Sequence, residues 1–258
     1  MWEVCSSAIS GHPRCLRTLS GPPLADFPSD QTLDYVRANL PEDLALPIIQ
    51  RFESALRLTH DYAERYYREF ANAAQSGSLL AMVMCARMLR EGQGCVESKA
   101  DSFYWATEAA KRNFPPGLLE LGLCYEDGLG VNIDEDKAIL YYTQALDLGL
   151  SSAGCQLALL FERKDEGDSA VQFATRAADL GDANAANFLG NWFEAGELVE
   201  RNERKAAEWY ERASKLGSFF ATGRLRSAYE QGELGLRRDP LRAAHYSKLL
   251  ESQLEYRG

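Results

Sequence analysis

Few side chains in this chain are placed to do acid–base, nucleophilic or metal chemistry. Its three histidines, His12, His60 and His245, are too scattered to form a metal or proton-transfer centre. Six cysteines fall at positions 5, 15, 85, 95, 124 and 155, with no CxxC pair and no Cys/His set at ligand spacing. The run Asp134-Glu135-Asp136 gathers three carboxylates, but it lacks the alternating oxygen ligands and closing Glu of a calcium loop. It reads instead as a capped helix start, with acids in the first turn favoured by the helix dipole. Gly128-x-Gly130 lies between two helices rather than after a strand, so it shapes a turn and cradles no phosphate. Catalytic residues, metal and cofactors are therefore expected to be none. What remains is the chemistry of recognition. Asn184, Asn187 and Asn191 recur at i, i+3 and i+7, one face of a helix. Asparagine is a poor helix former, so three on one face have no local rationale. Each amide both donates and accepts, which suits the backbone of an extended peptide.

Such a face needs helices to carry it, and the sequence supplies them in copies. A small residue recurs as Ala81, Gly117, Ala153, Ala185 and Ala221, in steps of 36, 36, 32 and 36. Four residues on stand Cys85, Leu121, Leu157, Leu189 and Leu225, then Leu89, Tyr125, Phe161, Phe193 and Tyr229. A turn glycine follows as Gly92, Gly128, Gly196 and Gly232. A second helix carries Trp105, Tyr141, Phe173, Trp209 and His245 in one column, and Ala109, Ala145, Ala177, Ala213 and Leu249 in another. Helical hairpins of this size cannot bury their own apolar faces and must stack. The 32-residue step comes from repeat three, where Arg163 to Gly167 replaces the glycine turn and shortens the loop by four residues. In this register, the asparagines lie opposite the core columns in repeat four. Phe220, Ser227 and Gln231 continue the face in repeat five, while Arg87, Leu119, Leu123 and Leu159 occupy it in repeats one to three.

The pattern A-x3-LG-x2-Y-x2-G-x-GV followed by KA-x2-YY-x2-A resembles the Sel-one-like repeat (SLR) family, relatives of the tetratricopeptide repeats. Repeat two carries it almost fully, through Leu121-Gly122, Tyr125, Gly128, Gly130-Val131 and Lys137-Ala138. Repeat four is close, and repeats one, three and five are degenerate. The resemblance covers residues 61 to 250 and implies an all-α, right-handed α/α superhelix of about five hairpins. It also implies that the first helices line the concave surface. The partner-binding candidates are then Asn184, Asn187, Asn191, Ser227, Gln231, Arg87 and Leu123. SLR proteins include signalling scaffolds, secretion-linked adaptors and immunity proteins against bacterial toxins, and weak hydrolase activity is ascribed to some. A hydrolase needs a nucleophile and a base in the groove, and none stands out here. A non-catalytic adaptor or scaffold is expected, with an immunity protein against one cognate toxin or effector as the alternative.

Charge narrows the partner. The net charge of −10 argues against a nucleic-acid backbone. It is uneven: residues 201–258 hold 12 Lys+Arg against 8 Asp+Glu, and residues 1–200 hold 16 against 30. No run approaches the ~18 apolar residues of a membrane span. His12, Arg14 and Arg17 interrupt the apolar start. A cytoplasmic protein with reduced thiols is expected, binding another protein or an extended peptide, with no nucleic acid and no membrane. Three parts are anticipated: an irregular arm (1–30), a helical cap (31–76) and the repeats with a C-terminal capping helix (77–258). Asp239-Pro240 fits the cap and first position of that last helix.

Overall fold

The computed structural model describes residues 63–255, with side chains to residue 253. The arm expected at 1–30 and most of the cap expected at 31–76 lie outside the described residues. Those residues hold eleven helices and no strand: α1 (Ala63–Gln75), α2 (Leu79–Glu91), α3 (Lys99–Ala110), α4 (Pro115–Asp127), α5 (Glu135–Asp147), α6 (Ser151–Arg163), α7 (Gly167–Asp179), α8 (Ala183–Ala195), α9 (Glu203–Lys215), α10 (Phe219–Gln231) and α11 (Pro240–Glu255). They form two compact units, with α1–α5 in one and α6–α11 in the other.

The repeat register fixes these elements. The first helices α2, α4, α6, α8 and α10 each have 13 residues, so one spacing places the same positions inward in each. Cys85, Leu121, Leu157, Leu189 and Leu225 are all buried, as are Ala81, Ala153, Ala185 and Ala221. Gly92, Gly128, Gly196 and Gly232 close four of those helices in the left-handed conformation. Asp134 caps α5, accepting from the Lys137 amide at 3.1 Å, as its position before two acids implies. The shortened loop of repeat three spans 164–166, against 128–134 and 196–202 in its neighbours, and the helices around it keep their length. α1 begins 36 residues before α3, one repeat step earlier. Gly77 (φ 97°) ends it as Asn113 (φ 52°) ends α3 one step later.

The last helix departs from the expected columns. His245 is exposed and Leu249 half-buried; Tyr246 stacks on Tyr229, and Leu250 fills the core. The cause is a loop at 232–239 that is one residue longer than those of repeats one, two and four. Every position on α11 therefore moves one residue on. Arg242 sits over Tyr229 as Lys137 sits over Tyr125 and Lys205 over Phe193. The cap itself is as anticipated, with Asp239 Oδ1 accepting from the amides of Leu241 and Arg242 beside Pro240.

On the second helices the aromatic column read from the sequence is buried only at Trp105. The alanine column read there, Ala109, Ala145, Ala177 and Ala213, is fully buried, and so is one that escaped the reading, Ala106, Tyr142, Ala174 and Tyr210. The partner of this last column on the first helix is Ala86, Gly122, Ala158 and Gly190. Tyrosine meets glycine and alanine meets alanine. A methyl on Gly122 would lie 2.4 Å from the Tyr142 ring, and one on Gly190 2.6 Å from the Tyr210 ring. At each tyrosine crossing the ring thus fills the space that a side chain on the facing glycine would need.

Two substitutions test this fit. Gly190→Ala is expected to cost about 1–3 kcal/mol by overpacking, and Tyr210→Ala about 3–5 kcal/mol by leaving a cavity. The double variant rebuilds the alanine pair of repeat three, so its loss in urea unfolding is expected to fall short of the two single losses combined. Strict additivity would mean that the two positions do not share a volume.

Candidate partner-binding surface

The surface to examine lies on the first helices, on the side turned from the core columns. Within the unit formed by α1–α5, that side is closed. Leu80 and Val83 of α2 and Leu119 of α4 are buried. Arg87 is half-buried and donates from Nε to Glu120 Oε1 at 2.5 Å, while Arg90 Nη1 donates to Glu120 Oε2 at 2.9 Å. The Glu120 side chain is 3% exposed, and the two guanidiniums supply the donors that water cannot reach it to provide. Arg87, expected to meet a partner, is committed to this network; Leu123 beside it is half-buried.

Within the unit formed by α6–α11 the same side opens. On α6, Cys155 is buried. On α8, Asn184 is exposed, and Asn187 and Asn191 are half-buried. On α10, Phe220 is 58% exposed, Ser227 half-buried and Gln231 exposed. Asp182 starts α8 by accepting from the amides of Asn184 and Ala185 at 2.9 and 3.0 Å. The three asparagines differ in what they do. Asn191 has a local role after all: its Oδ1 and Glu194 Oε2 each lie 2.7 Å from the Tyr210 hydroxyl and share its single proton. Asn187 Oδ1 is buried and has no hydrogen-bond partner among the described residues. A polar atom in that position gains from any donor brought to it.

Glu194 ties this surface to the framework. Besides Tyr210, it accepts from Arg224 Nη2 at 2.5 Å, and Arg224 Nη1 reaches Glu233 at 2.6 Å. Burial pushes the Glu194 carboxyl upward, but the hydrogen bonds from Arg224 and Tyr210 outweigh it and hold the group below its ordinary value. The Tyr210 hydroxyl moves far up, through burial and then the adjacent carboxylate. The same carboxylate recurs as Glu126, which accepts from Tyr142 at 2.5 Å. In repeat three, alanine replaces the tyrosine, and Glu162 accepts instead from Trp192 Nε1 of the next repeat at 2.6 Å. This glutamate column escaped the sequence reading, although it falls one residue after each aromatic core position.

Among the described residues no thiol is presented: Cys85, Cys95, Cys124 and Cys155 form no disulfide and are all buried. Burial, with the nearby Glu120 carboxylate second, pushes the Cys124 thiol up to about 12. Burial and then Asp182 raise Cys155 well above its ordinary value. Among the described residues no group of three His, Cys, Asp or Glu side chains is placed to hold a metal ion. No described helix is long and apolar enough to cross a membrane.

Comparison with known proteins follows from this architecture. The Sel1 repeat model matches residues 79–114, 115–150, 162–182, 183–218 and 221–250, more than half of the chain, and the chain belongs to that family. In repeat three the match covers only 162–182, from the end of α6 through α7. A Sel1 repeat protein from Oxalobacter formigenes has a similar structure, with a TM-score of 0.61 and 28% identity over 74% of this chain and 79% of that one. The immunity protein Pa5087 from Pseudomonas aeruginosa superposes with a TM-score of 0.52 at 20% identity, over 74% of this chain and 81% of its own, a likeness of fold alone. The DAP3-binding cell death enhancer 1 of Rattus norvegicus is 27% identical over half of this chain. The chain spans about a third of that relative's length. Sel1 repeats as a class serve protein–protein interaction and are typically non-catalytic.

The shifts just described set two expectations. Glu194 is depressed on folding, so its contribution to stability is present above its unfolded pKa and is lost as pH falls through its folded one. Glu194→Gln is expected to be less stable than wild type at neutral pH, with the gap closing in acid; a pH-independent gap in thermal melts would remove the ion pair as its source. The four buried thiols are expected to resist iodoacetamide until the protein is unfolded, as peptide mapping by mass spectrometry would report.

Proposed function

We propose that this chain is a non-catalytic interaction module that holds an extended segment of a protein partner across α8 and α10. The observation that supports this is the opening of one helical side there, on asparagine, serine and glutamine. The corresponding side of α2 is buried and ion-paired. Amides on a half-buried helical face can take up a backbone in any sequence context, and the polar atom at Asn187 has no hydrogen-bond partner among the described residues. An adaptor or scaffold in the cytoplasm is the reading adopted. An immunity role has behind it a likeness of fold to Pa5087 and no feature of the site.

The test is affinity capture from native lysate with wild type and Asn184→Ala/Asn187→Ala side by side. Asn191 is left in place because it braces Tyr210. Both proteins are first matched by circular dichroism. Recovery of the bound proteins is expected to drop about tenfold or more in the variant, equal to some 1.4 kcal/mol. One dominant cognate protein would favour a dedicated inhibitor, and several would favour a scaffold. Undiminished capture by the variant would move the site off this face.

A further inference from the structure

Glycine inside a helix costs up to about 1 kcal/mol relative to alanine, so each one asks for a reason. Most here have one within the fold. A side chain on Gly117 would strike Ala109, on Gly122 Tyr142, on Gly190 Tyr210 and on Gly167 the Leu198 carbonyl, each at 2.6 Å or less. Gly223, in the middle of α10, is different: a methyl there would meet no atom of the described residues within 4 Å. Its backbone is helical and gains nothing from glycine. Nothing among the described residues requires it.

Gly223 lies on the open side, one turn after Phe220 and one before Ser227, in the column that holds Asn187 in repeat four. No charged residue stands among Asn184, Asn187 and Asn191 on α8, or Phe220, Ser227 and Gln231 on α10. This holds in a chain of net charge −10. Arg224 beside Gly223 is neutralised by Glu194 and Glu233. A charged segment laid here would lose hydration and find no counter-charge.

Resting on the function proposed above, we infer that Gly223 is the floor of the binding groove. The partner's chain crosses directly over its backbone, and the segment held there is extended and uncharged. Phe220 takes an apolar side chain on one flank, and the amides of Asn184 and Asn187 take the peptide backbone on the other. Glycine is kept because a methyl would stand where the partner's chain must lie.

The probe is a phage-displayed library of short random peptides, panned in parallel against wild type, Gly223→Ala and Asn184→Ala/Asn187→Ala. Gly223→Ala is expected to fold and to melt roughly 2–4 °C higher, since alanine is the better helix former. That rise separates lost binding from lost structure. Wild type is expected to enrich uncharged peptides, and Gly223→Ala to bind them roughly tenfold more weakly or worse. Peptides lost on the asparagine variant but bound equally by Gly223→Ala would overturn this inference and leave the groove standing. Peptides retained by both variants would overturn the groove as well. Enrichment of acidic or basic peptides, or of none, would overturn the assigned chemistry.

Discussion

Everything in this fold depends on how closely two helices of a hairpin approach at one crossing. In repeats one to four the sequence places there a tyrosine against a glycine or two alanines. Dispersion is lost steeply when a gap opens and overlap is costly when a methyl is added, so neither position varies alone. A similar exchange occurs where loops meet helix starts. Gly130 makes room for the Lys99 carbonyl in one unit; in the other, Leu198 takes the loop position and Gly167 on the helix makes the room. The contact persists while the glycine changes sides.

Choosing tyrosine for the crossing has an electrostatic consequence. A buried phenol needs an acceptor for its hydroxyl, and the first helix supplies a glutamate one turn past the glycine. That carboxylate then needs cations or donors of its own. Arg224 answers Glu194 in the next repeat. Where alanine removes the phenol, Glu162 turns to Trp192 of the next repeat instead. Packing inside one hairpin thereby selects the polar link to its neighbour. It also consumes charge: carboxylates and guanidiniums on the first helices are spent on one another, which leaves the open side of α8 and α10 neutral.

How much of this could be read beforehand follows from what periodicity measures. Ala81, Cys85 and Leu89 and their copies were legible because burial repeats with the helix, and the loop deletion was legible because helices on both sides kept their columns. The offset on α11 was not, because a fixed 36-residue step was carried past an eight-residue loop. The caps held the information, since Asp239 follows Asn202 by 37. Periodicity also names a face without saying whether it is covered. In α2, Leu80, Met82, Val83, Met84 and Met88 are apolar all round the helix, and a helix of that kind is buried on every side. Asn191 was misjudged for a related reason. Its partner, Tyr210, stands nineteen residues away on another helix, and no local pattern links them.

The location of the open side follows from the same bookkeeping of positions. The column that is Val83 and Leu119 in the first unit is Cys155, Asn187 and Gly223 in the second, a progression from apolar bulk to amide to bare backbone. Each step removes a reason for the position to be covered by the protein itself. The core columns do not change along the same path: Cys85, Leu121, Leu157, Leu189 and Leu225 stay buried. A drift in overall hydrophobicity would have moved both sets together. The change is confined to the side turned from the core columns, which packs in the first unit and opens in the second. What varies along this chain while the register stays fixed is the surface it offers to something else.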